Sequence, residues 1–199
     1  MSFRDLVVRR RMVRAFTDDP VDPMLVDELL DLARRAPSAG NSQGTAFVVL
    51  DSPAAVDRYW EMTLPADRRA SFGWPGLLDA PVLILAVCSP EVYVDRYAEA
   101  DKATTGLGEG AAAWPVPYWF VDAGMALEHV LLGAVEAGLG ACLFGLFEHE
   151  VDVLRALDVP TGWRAVGTVA LGHPAPDRPG LSAGRPRRPL PEVVHRGRW

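Results

Sequence analysis

The sequence predicts an α/β or α+β sandwich with one central sheet. Apolar runs of strand length lie at 46–50, 80–88, 141–144 and 165–171. The continuous run at 80–88 is typical of a strand that is covered on both faces. Segments with helical periodicity separate these runs. Because strands that alternate with helices form a sheet covered by helices, we expect one domain over residues 1–199, long enough to bury a substantial core.

Two helices near the start are predicted from their caps. Ser2 and Asp5 have the spacing of a capping box for a short first helix. Asp22 and Pro23 have the residue types of an N-cap and a first helical position. The buried face of this second helix is expected to carry Leu25, Leu29, Leu32 and Ala33.

Three further helices follow from apolar periodicity, over 53–62, 122–137 and 149–157. The first has Trp60 on its apolar side, and Gly138 has the residue type that ends the second. The inward face of the 122–137 helix is expected to carry Leu127, Val130, Leu131 and Ala134.

Two segments lack the pattern of a sheet strand or a long helix. Residues 90–120 are rich in aromatic side chains and contain a glycine-rich piece at 106–110. We expect this segment to cover a substrate site as a lid. Residues 174–199 are rich in Pro, Arg and Gly, and we expect a C-terminal extension that wraps a surface.

The composition argues against several classes of partner. A formal net charge of −6 disfavours a broad nucleic-acid footprint or a polybasic membrane surface. No apolar run reaches the roughly 18 residues of a membrane span, and the first residues lack the apolar core of a secretion signal. Cys88 and Cys142 lie in apolar runs and are expected to be buried thiols. We therefore expect a cytoplasmic protein, and the four histidines show no metal-ligand spacing.

The positive charge is concentrated in two short runs. Seven of the 20 Lys and Arg residues lie there, which are Arg9, Arg10, Arg11, Arg14, Arg185, Arg187 and Arg188. Planar guanidinium groups bind phosphate oxygens in pairs, so the first run is a candidate anion site. The alternative is a solvated basic patch that pairs with Asp18, Asp19 or Glu28.

A polar loop of small residues, Pro-Ser-Ala-Gly-Asn-Ser-Gln, occupies 37–43 and precedes the first strand. Its hydroxyl and amide groups can donate to and accept from the polar edge of a planar ligand. Alternatively, they serve only the turn that follows the second helix.

Three motifs resemble those of the nitroreductase family of FMN-dependent oxidoreductases. Arg10, Arg11, Arg14 and Phe16 match the family's Arg-Arg-Ser-x-Arg-x-Phe segment, with Met12 in place of the serine. The 37–43 loop is similar to its Pro-Ser-x-x-Asn-x-Gln loop, and 138–145 is similar to its Gly-x-Gly-x-x-x-x-Gly stretch.

The resemblance implies an α+β fold, a three-layer α/β/α sandwich with a mainly antiparallel central sheet. It also implies a homodimer with FMN at the interface, whose C-terminal extension wraps the partner. The resemblance assigns FMN contacts to Arg10, Arg11, Met12, Arg14, Arg185 and Arg187. The two arginine runs would converge on the phosphate, Arg14 would lie near the N1/O2 side of the ring, and Met12 replaces a serine that often donates to the phosphate. Pro37, Ser38, Ala39, Asn41 and Gln43 would reach the flavin bound mainly by the other subunit. Leu143 and Phe144 would lie beside the ring, with the Gly145 N–H facing N5.

The implied reaction transfers hydride from NAD(P)H through flavin N5 to a nitroaromatic, quinone or other conjugated small molecule, with ping-pong kinetics and no catalytic side chain. Tyr97, Trp114, Tyr118 and Trp119 are candidates to stack on this acceptor, or alternatively to fill core. Two other functions stay open on the same fold. One is a flavin-dependent oxidase or dehydrogenase of a small natural product, and the other is a flavin-binding subunit without catalysis.

Overall fold

The computed structural model describes residues 1–180 and 182–199. The helices are α1 (Phe3–Arg9), α2 (Pro23–Ala33), α3 (Pro53–Thr63), α4 (Ala66–Arg69), α5 (Pro90–Ala98), α6 (Tyr118–Glu136) and α7 (Glu150–Ala156). The strands are β1 (Thr45–Leu50), β2 (Val82–Cys88), β3 (Gly140–Phe144) and β4 (Arg164–Gly172). Short 3₁₀ turns join several of these elements, including Ala39–Asn41 before β1 and Phe147–His149 before α7.

The four strands form one antiparallel sheet in the order β1-β2-β4-β3. Every residue of β2 is buried, as expected for a central strand. Its side chains alternate between two cores, with Ile84 on one side and Leu85 on the other.

Helices cover both faces of this sheet. α2 and α6 pack on the face that carries Ile84, while α3 and α7 pack on the face that carries Leu85. The three-layer α/β/α sandwich with an antiparallel sheet is therefore confirmed. Among the described residues, none of the helices is long and apolar enough to cross a membrane.

The helix caps follow the sequence closely. Ser2 and Asp5 form a reciprocal capping box at α1, and the Asp22 side chain accepts from the Met24 N–H at 2.9 Å. The four residues predicted to face inward on α6 are all buried. Gly138 follows α6 with a left-handed φ of 75°, which favours glycine.

Several details differ from the sequence prediction. α4 was not predicted, and the 90–120 segment, predicted only as a lid, begins with α5. α6 begins at Tyr118 rather than at residue 122, because Pro117 can precede a helix and Trp119 is buried in its first turn. The buried stripe of α2 is Val26, Leu29 and Ala33. Leu32 lies outside this stripe and is 42% exposed, so its predicted place on the buried face is wrong.

Candidate functional site

Both arginine runs contribute residues to one cavity of about 840 Å³, whose wall does not include Arg9 or Arg188. Arg10, Arg11 and Arg14 come from the segment after α1, and Arg185 and Arg187 come from the extension. Met12 and Arg178 also contribute to its wall. Segments that are far apart in sequence thus place their guanidinium groups around one space, which we call the basic cavity.

The first run is positioned by the edge strand β3. The Val13 N–H donates to the Ala141 carbonyl at 2.9 Å, and the Val13 side chain is buried. Gly140 permits this close approach, since a Cβ there would lie 2.8 Å from Val13 Cγ1. The Met12 sulfur accepts from the Leu143 N–H at 3.5 Å. The backbone of 12–14 is therefore fixed along β3.

The arginines of this run have different partners. Arg10 lies 3.5 Å from Glu128 of α6, not beside the acidic residues that the sequence offered as partners. The Arg14 guanidinium donates to the Met12 carbonyl at 3.3 Å and lies 5.1 Å from the centre of the Trp74 ring. The Arg14 backbone N–H donates to Asp177 at 2.8 Å.

The remaining cations of the basic cavity are not neutralised by side chains. Within residues 1–180 and 182–199, no ion pair involves Arg11, Arg185 or Arg187. Arg11 is exposed beside the half-buried Arg14. Asp177 also lines the cavity, where it accepts from the Arg14 backbone N–H. The guanidinium groups outnumber this one carboxylate, and such a set fits a phosphate dianion.

Side chains of α5 and α6 hold the 37–43 loop by hydrogen bonds to its backbone. The Ala39 N–H donates to the Asp122 carboxylate at 2.8 Å, and Arg96 Nε donates to the Gly40 carbonyl at 2.9 Å. Ser38 Oγ accepts from the Gln43 N–H at 3.0 Å. The backbone of the loop is therefore hydrogen-bonded to α5 and α6 as well as within its own turn.

The backbone of this loop is strained at two residues. Asn41 and Gln43 have φ values of 54° and 55°, in the left-handed region that disfavours residues with a Cβ. Both side chains are exposed. Asparagine adopts this region routinely, so the strain falls mainly on Gln43, and strained residues cluster at binding sites.

Asp122 is the buried centre of this arrangement. It is 4% exposed and accepts from both Ala39 and the Tyr93 hydroxyl, the latter at 2.8 Å. Burial and the hydrogen bond to Asp122 raise the pKa of Tyr93. The Tyr93 hydroxyl therefore keeps its proton and remains a donor.

The loop and the basic cavity lie at opposite edges of the sheet. β1 and β3 are the two edge strands of the sheet. The loop leads directly into β1, whereas residues 12–14 run alongside β3. Three strand spacings separate these edges, about 14 Å. One chain therefore does not bring the 37–43 loop to the predicted phosphate contacts across its sheet.

The four aromatic residues predicted to contact substrate divide into two pairs. Trp114 and Trp119 are each 7% exposed and pack edge-to-face with Tyr93. Trp114 Nε1 also donates to the Leu107 carbonyl at 3.0 Å. Tyr97 is half-buried above Gly40, and Tyr118 is 43% exposed. Trp114 and Trp119 thus fill a local core, and only the two tyrosines keep substantial open surface.

A second cavity, of about 350 Å³, was not predicted from the sequence. Its wall includes Arg14 and the 143–145 segment, so it adjoins the basic cavity. Its aromatic lining residues are Tyr59, Trp60, Phe72, Trp74, Phe144 and Phe147. We call it the aromatic cavity. The signal that could have found it is the concentration of aromatic residues over 59–74.

The hydroxyl of Tyr59 is satisfied inside the protein. It lies 2.8 Å from Thr168 Oγ1, and burial raises the pKa of Tyr59 to about 12. Both cysteines are buried and unpaired. Burial raises the pKa of Cys88 to about 12 and also raises that of Cys142. Neither thiol is therefore a thiolate nucleophile near neutral pH.

Comparison with known proteins defines the class of the chain. Residues 7–173 match the sequence profile of the Nitroreductase family. The chain is 32% identical to 5,6-dimethylbenzimidazole synthase of Rhodospirillum rubrum, over 96% of this chain and 95% of that protein. The chain therefore belongs to the nitroreductase family.

Two other similarities agree with this assignment. The chain is 25% identical to an NADPH-dependent oxidoreductase of Staphylococcus aureus, over 98% of this chain and 73% of that protein. A nitroreductase family protein of Clostridium novyi has a similar crystal structure, with a TM-score of 0.66 and 25% identity. That match covers 88% of this chain and 86% of the other. Membership of this family makes the chain a flavin-type oxidoreductase.

Proposed function

We propose that this chain is an FMN-dependent NAD(P)H oxidoreductase that acts as a homodimer. The observation that carries the proposal is the convergence of Arg10, Arg11 and Arg14 with Arg185 and Arg187 on one cavity. A flavin phosphate carries up to two negative charges, and paired guanidinium contacts suit it. The whole of 1–199 would act as one FMN-binding domain.

Each residue of the site has a distinct proposed role. The arginines bind the phosphate, and Arg14, near the ring, stabilises negative charge that develops on it during reduction. Leu143 and Phe144 pack beside the ring, and the Gly145 N–H faces N5. A bound flavin supplies hydride transfer between NAD(P)H and a conjugated acceptor, which predicts ping-pong kinetics.

The homodimer is proposed because one chain separates the two halves of its site. A second copy can supply Ser38, Ala39 and Asn41 to the flavin that the first copy holds by its phosphate. Exposed apolar residues support an interface. These are Phe3 and Val8 of α1 and Leu190 and Trp199 of the extension, which in this arrangement wraps the partner. Light scattering should give twice the mass of one chain.

The NAD(P)H donor is supported by the Staphylococcus aureus relative, whose name specifies NADPH. We propose a cytoplasmic location because the buried cysteines are unpaired. The net charge of −6 disfavours nucleic acid as a partner, and we propose a small conjugated molecule as the substrate.

The Rhodospirillum rubrum relative favours a second candidate, the formation of 5,6-dimethylbenzimidazole. Its similarity extends over nearly the full length of both chains. The two functions differ in their product. Chromatography of an aerobic reaction with FMN and NADPH would detect 5,6-dimethylbenzimidazole only for the second candidate.

The first experiment is the visible absorption spectrum of the purified protein, before and after anaerobic addition of NADPH. We expect flavin bands in the visible range that bleach with NADPH and return with a quinone or nitroaromatic. Flavin bands that do not bleach would favour the oxidase function. A protein that neither contains nor takes up flavin would contradict the proposal.

A further inference from the structure

The wall of the basic cavity contains one acidic side chain among the described residues, that of Asp177. It lies among the guanidinium groups to which the proposed function assigns a phosphate. A carboxylate and a phosphate repel each other, and the repulsion is strongest where water is partly excluded. Asp177 is half-buried. Its charge therefore weakens phosphate binding, unless the residue has a role in the site that outweighs this repulsion.

The Asp177 carboxylate holds the backbone of the first arginine run. Its Oδ2 accepts from the Arg14 N–H at 2.8 Å, and the two residues are 163 positions apart in sequence. The preceding N–H, of Val13, donates instead to the Ala141 carbonyl of β3 at 2.9 Å. A partly buried backbone N–H needs an acceptor, and a carboxylate is a strong one. β3 thus satisfies one of these two adjacent N–H groups, and Asp177 satisfies the other.

The same hydrogen bond joins the C-terminal extension to the segment that follows α1. Shortly before it, the Ala175 N–H donates to the Ala15 carbonyl at 2.9 Å. The bond from Arg14 to Asp177 extends this pairing, with a side chain in place of a backbone carbonyl. In the described part of the chain, no later residue of the extension hydrogen-bonds to 12–17. Asp177 is therefore the end of the pairing between the two segments.

Beyond Asp177 the extension crosses the Arg14 side chain and reaches the second arginine run. Arg178 donates to the Gly73 carbonyl, which anchors the extension to a different segment. A Cβ on Gly180 would lie 3.1 Å from Arg14 Nη1, so the backbone of the extension passes close to this guanidinium. The second arginine run then lines the cavity. Asp177 is thus the anchor that joins the extension to the first run itself.

We propose that Asp177 is a positioning residue for the phosphate group of the flavin. Its carboxylate holds the extension against the first arginine run, so that guanidinium groups from both runs reach one phosphate. This contribution outweighs the repulsion between the carboxylate and the phosphate. The hold depends only on the contacts described above, whereas the identity of the ligand rests on the proposed function.

Titration of the flavin-free protein with FMN and with riboflavin, which lacks the phosphate, tests the proposal. In Asp177→Ala the Arg14 N–H loses its acceptor, and we expect FMN to bind about tenfold more weakly, the value of one hydrogen bond to a charged group. Riboflavin should bind as it does to the wild type. Asp79→Ala is the matched control, because Asp79 lies on the adjoining surface outside the basic cavity, and it should change neither affinity. FMN binding by Asp177→Ala as tight as in the wild type, or tighter, would overturn the proposal.

Asp177→Asn separates the hold from the charge. The amide oxygen of this variant can still accept from the Arg14 N–H, while the negative charge that repels the phosphate is absent. We expect FMN to bind at least as tightly as to the wild type, and up to about fivefold more tightly. If Asp177→Asn loses as much FMN affinity as Asp177→Ala, the hydrogen bond is not what matters, and the proposal is wrong.

Amide hydrogen exchange of the flavin-free protein measures the hold without a ligand. In Asp177→Ala, exchange at Arg14 should accelerate, while exchange at Val13, whose acceptor lies on β3, should stay slow. Unchanged exchange at Arg14 would overturn the proposal. The titrations also separate the two claims. Equal affinities of the wild type for FMN and riboflavin would contradict the proposed function, whereas a preference for FMN that Asp177→Ala fully retains would overturn this inference alone.

Discussion

Replacement of Asp122 tests how the 37–43 loop is held against the body of the protein. In Asp122→Ala, the Ala39 N–H and the Tyr93 hydroxyl both lose their acceptor. Tyr93 is fully buried, and Asp122 is 4% exposed, so water cannot readily replace the carboxylate. Each unpaired donor costs about 1–3 kcal/mol, and together they lower the free energy of unfolding by about 4 kcal/mol.

The matched variant Tyr93→Phe removes one of these hydrogen bonds and keeps the other. We expect a smaller loss, about 2 kcal/mol, because the Asp122 carboxylate still accepts from Ala39. Asp122→Asn retains an acceptor oxygen and should lie between the wild type and Asp122→Ala. For a chain of this length, the melting temperature falls by roughly 2–4 °C per kcal/mol.

Thermal unfolding and amide hydrogen exchange measure the two parts of this prediction. The melting temperature should fall by roughly 8–16 °C in Asp122→Ala, and exchange at Ala39 should accelerate more than exchange in β2. Equal melting temperatures for Asp122→Ala and Tyr93→Phe would refute the reasoning, as would unchanged protection at Ala39.

Three further predictions concern the cofactor, pH and the thiols. Arg187→Ser should weaken FMN binding by about tenfold through loss of a charged hydrogen bond, and Arg198→Ser, outside the basic cavity, should not. Equal effects of the two would argue against a specific phosphate contact. The Arg164 guanidinium lowers the pKa of Glu150 below its ordinary value of 4.5. The ion pair between them therefore stabilises the folded protein above about pH 4.5, and this stabilisation is lost as the pH falls through the lowered pKa. The melting temperature of wild type should therefore fall more steeply below that pH than that of Glu150→Gln, and parallel curves would contradict this. Cys88 should resist thiol reagents at pH 8 until the protein is denatured, and rapid labelling of the native protein would show that it is accessible.

The layered fold could be predicted because local signals and burial agree. The apolar runs became β1, β2, β3 and β4 with boundaries shifted by only one or two residues. The caps at Asp22 and Gly138 were correct because they depend on neighbouring residues alone. Leu32 was misplaced because the packing of α6 on α2 selects one of two adjacent apolar stripes.

The site was predicted only in part, for a physical reason. Residue types identified the arginine runs, and their meeting in one cavity follows from the path of the extension over 12–14. The aromatic cavity depends on tertiary packing, in which Trp60 of α3 meets Phe144 of β3. The aromatic residues over 59–74 indicate one side of this cavity, but no local pattern reports their contact with Phe144.

The measurement that tests the central claim most directly compares FMN with riboflavin, which lacks the phosphate, in titrations of the flavin-free protein. Because the claim places the phosphate in the basic cavity, FMN should bind about a hundredfold more tightly, which corresponds to two charged hydrogen bonds. The difference should shrink in an Arg10→Ser, Arg187→Ser double variant, which removes one arginine from each run in the basic cavity, and at high salt. Equal affinities for FMN and riboflavin in the wild type would contradict the account.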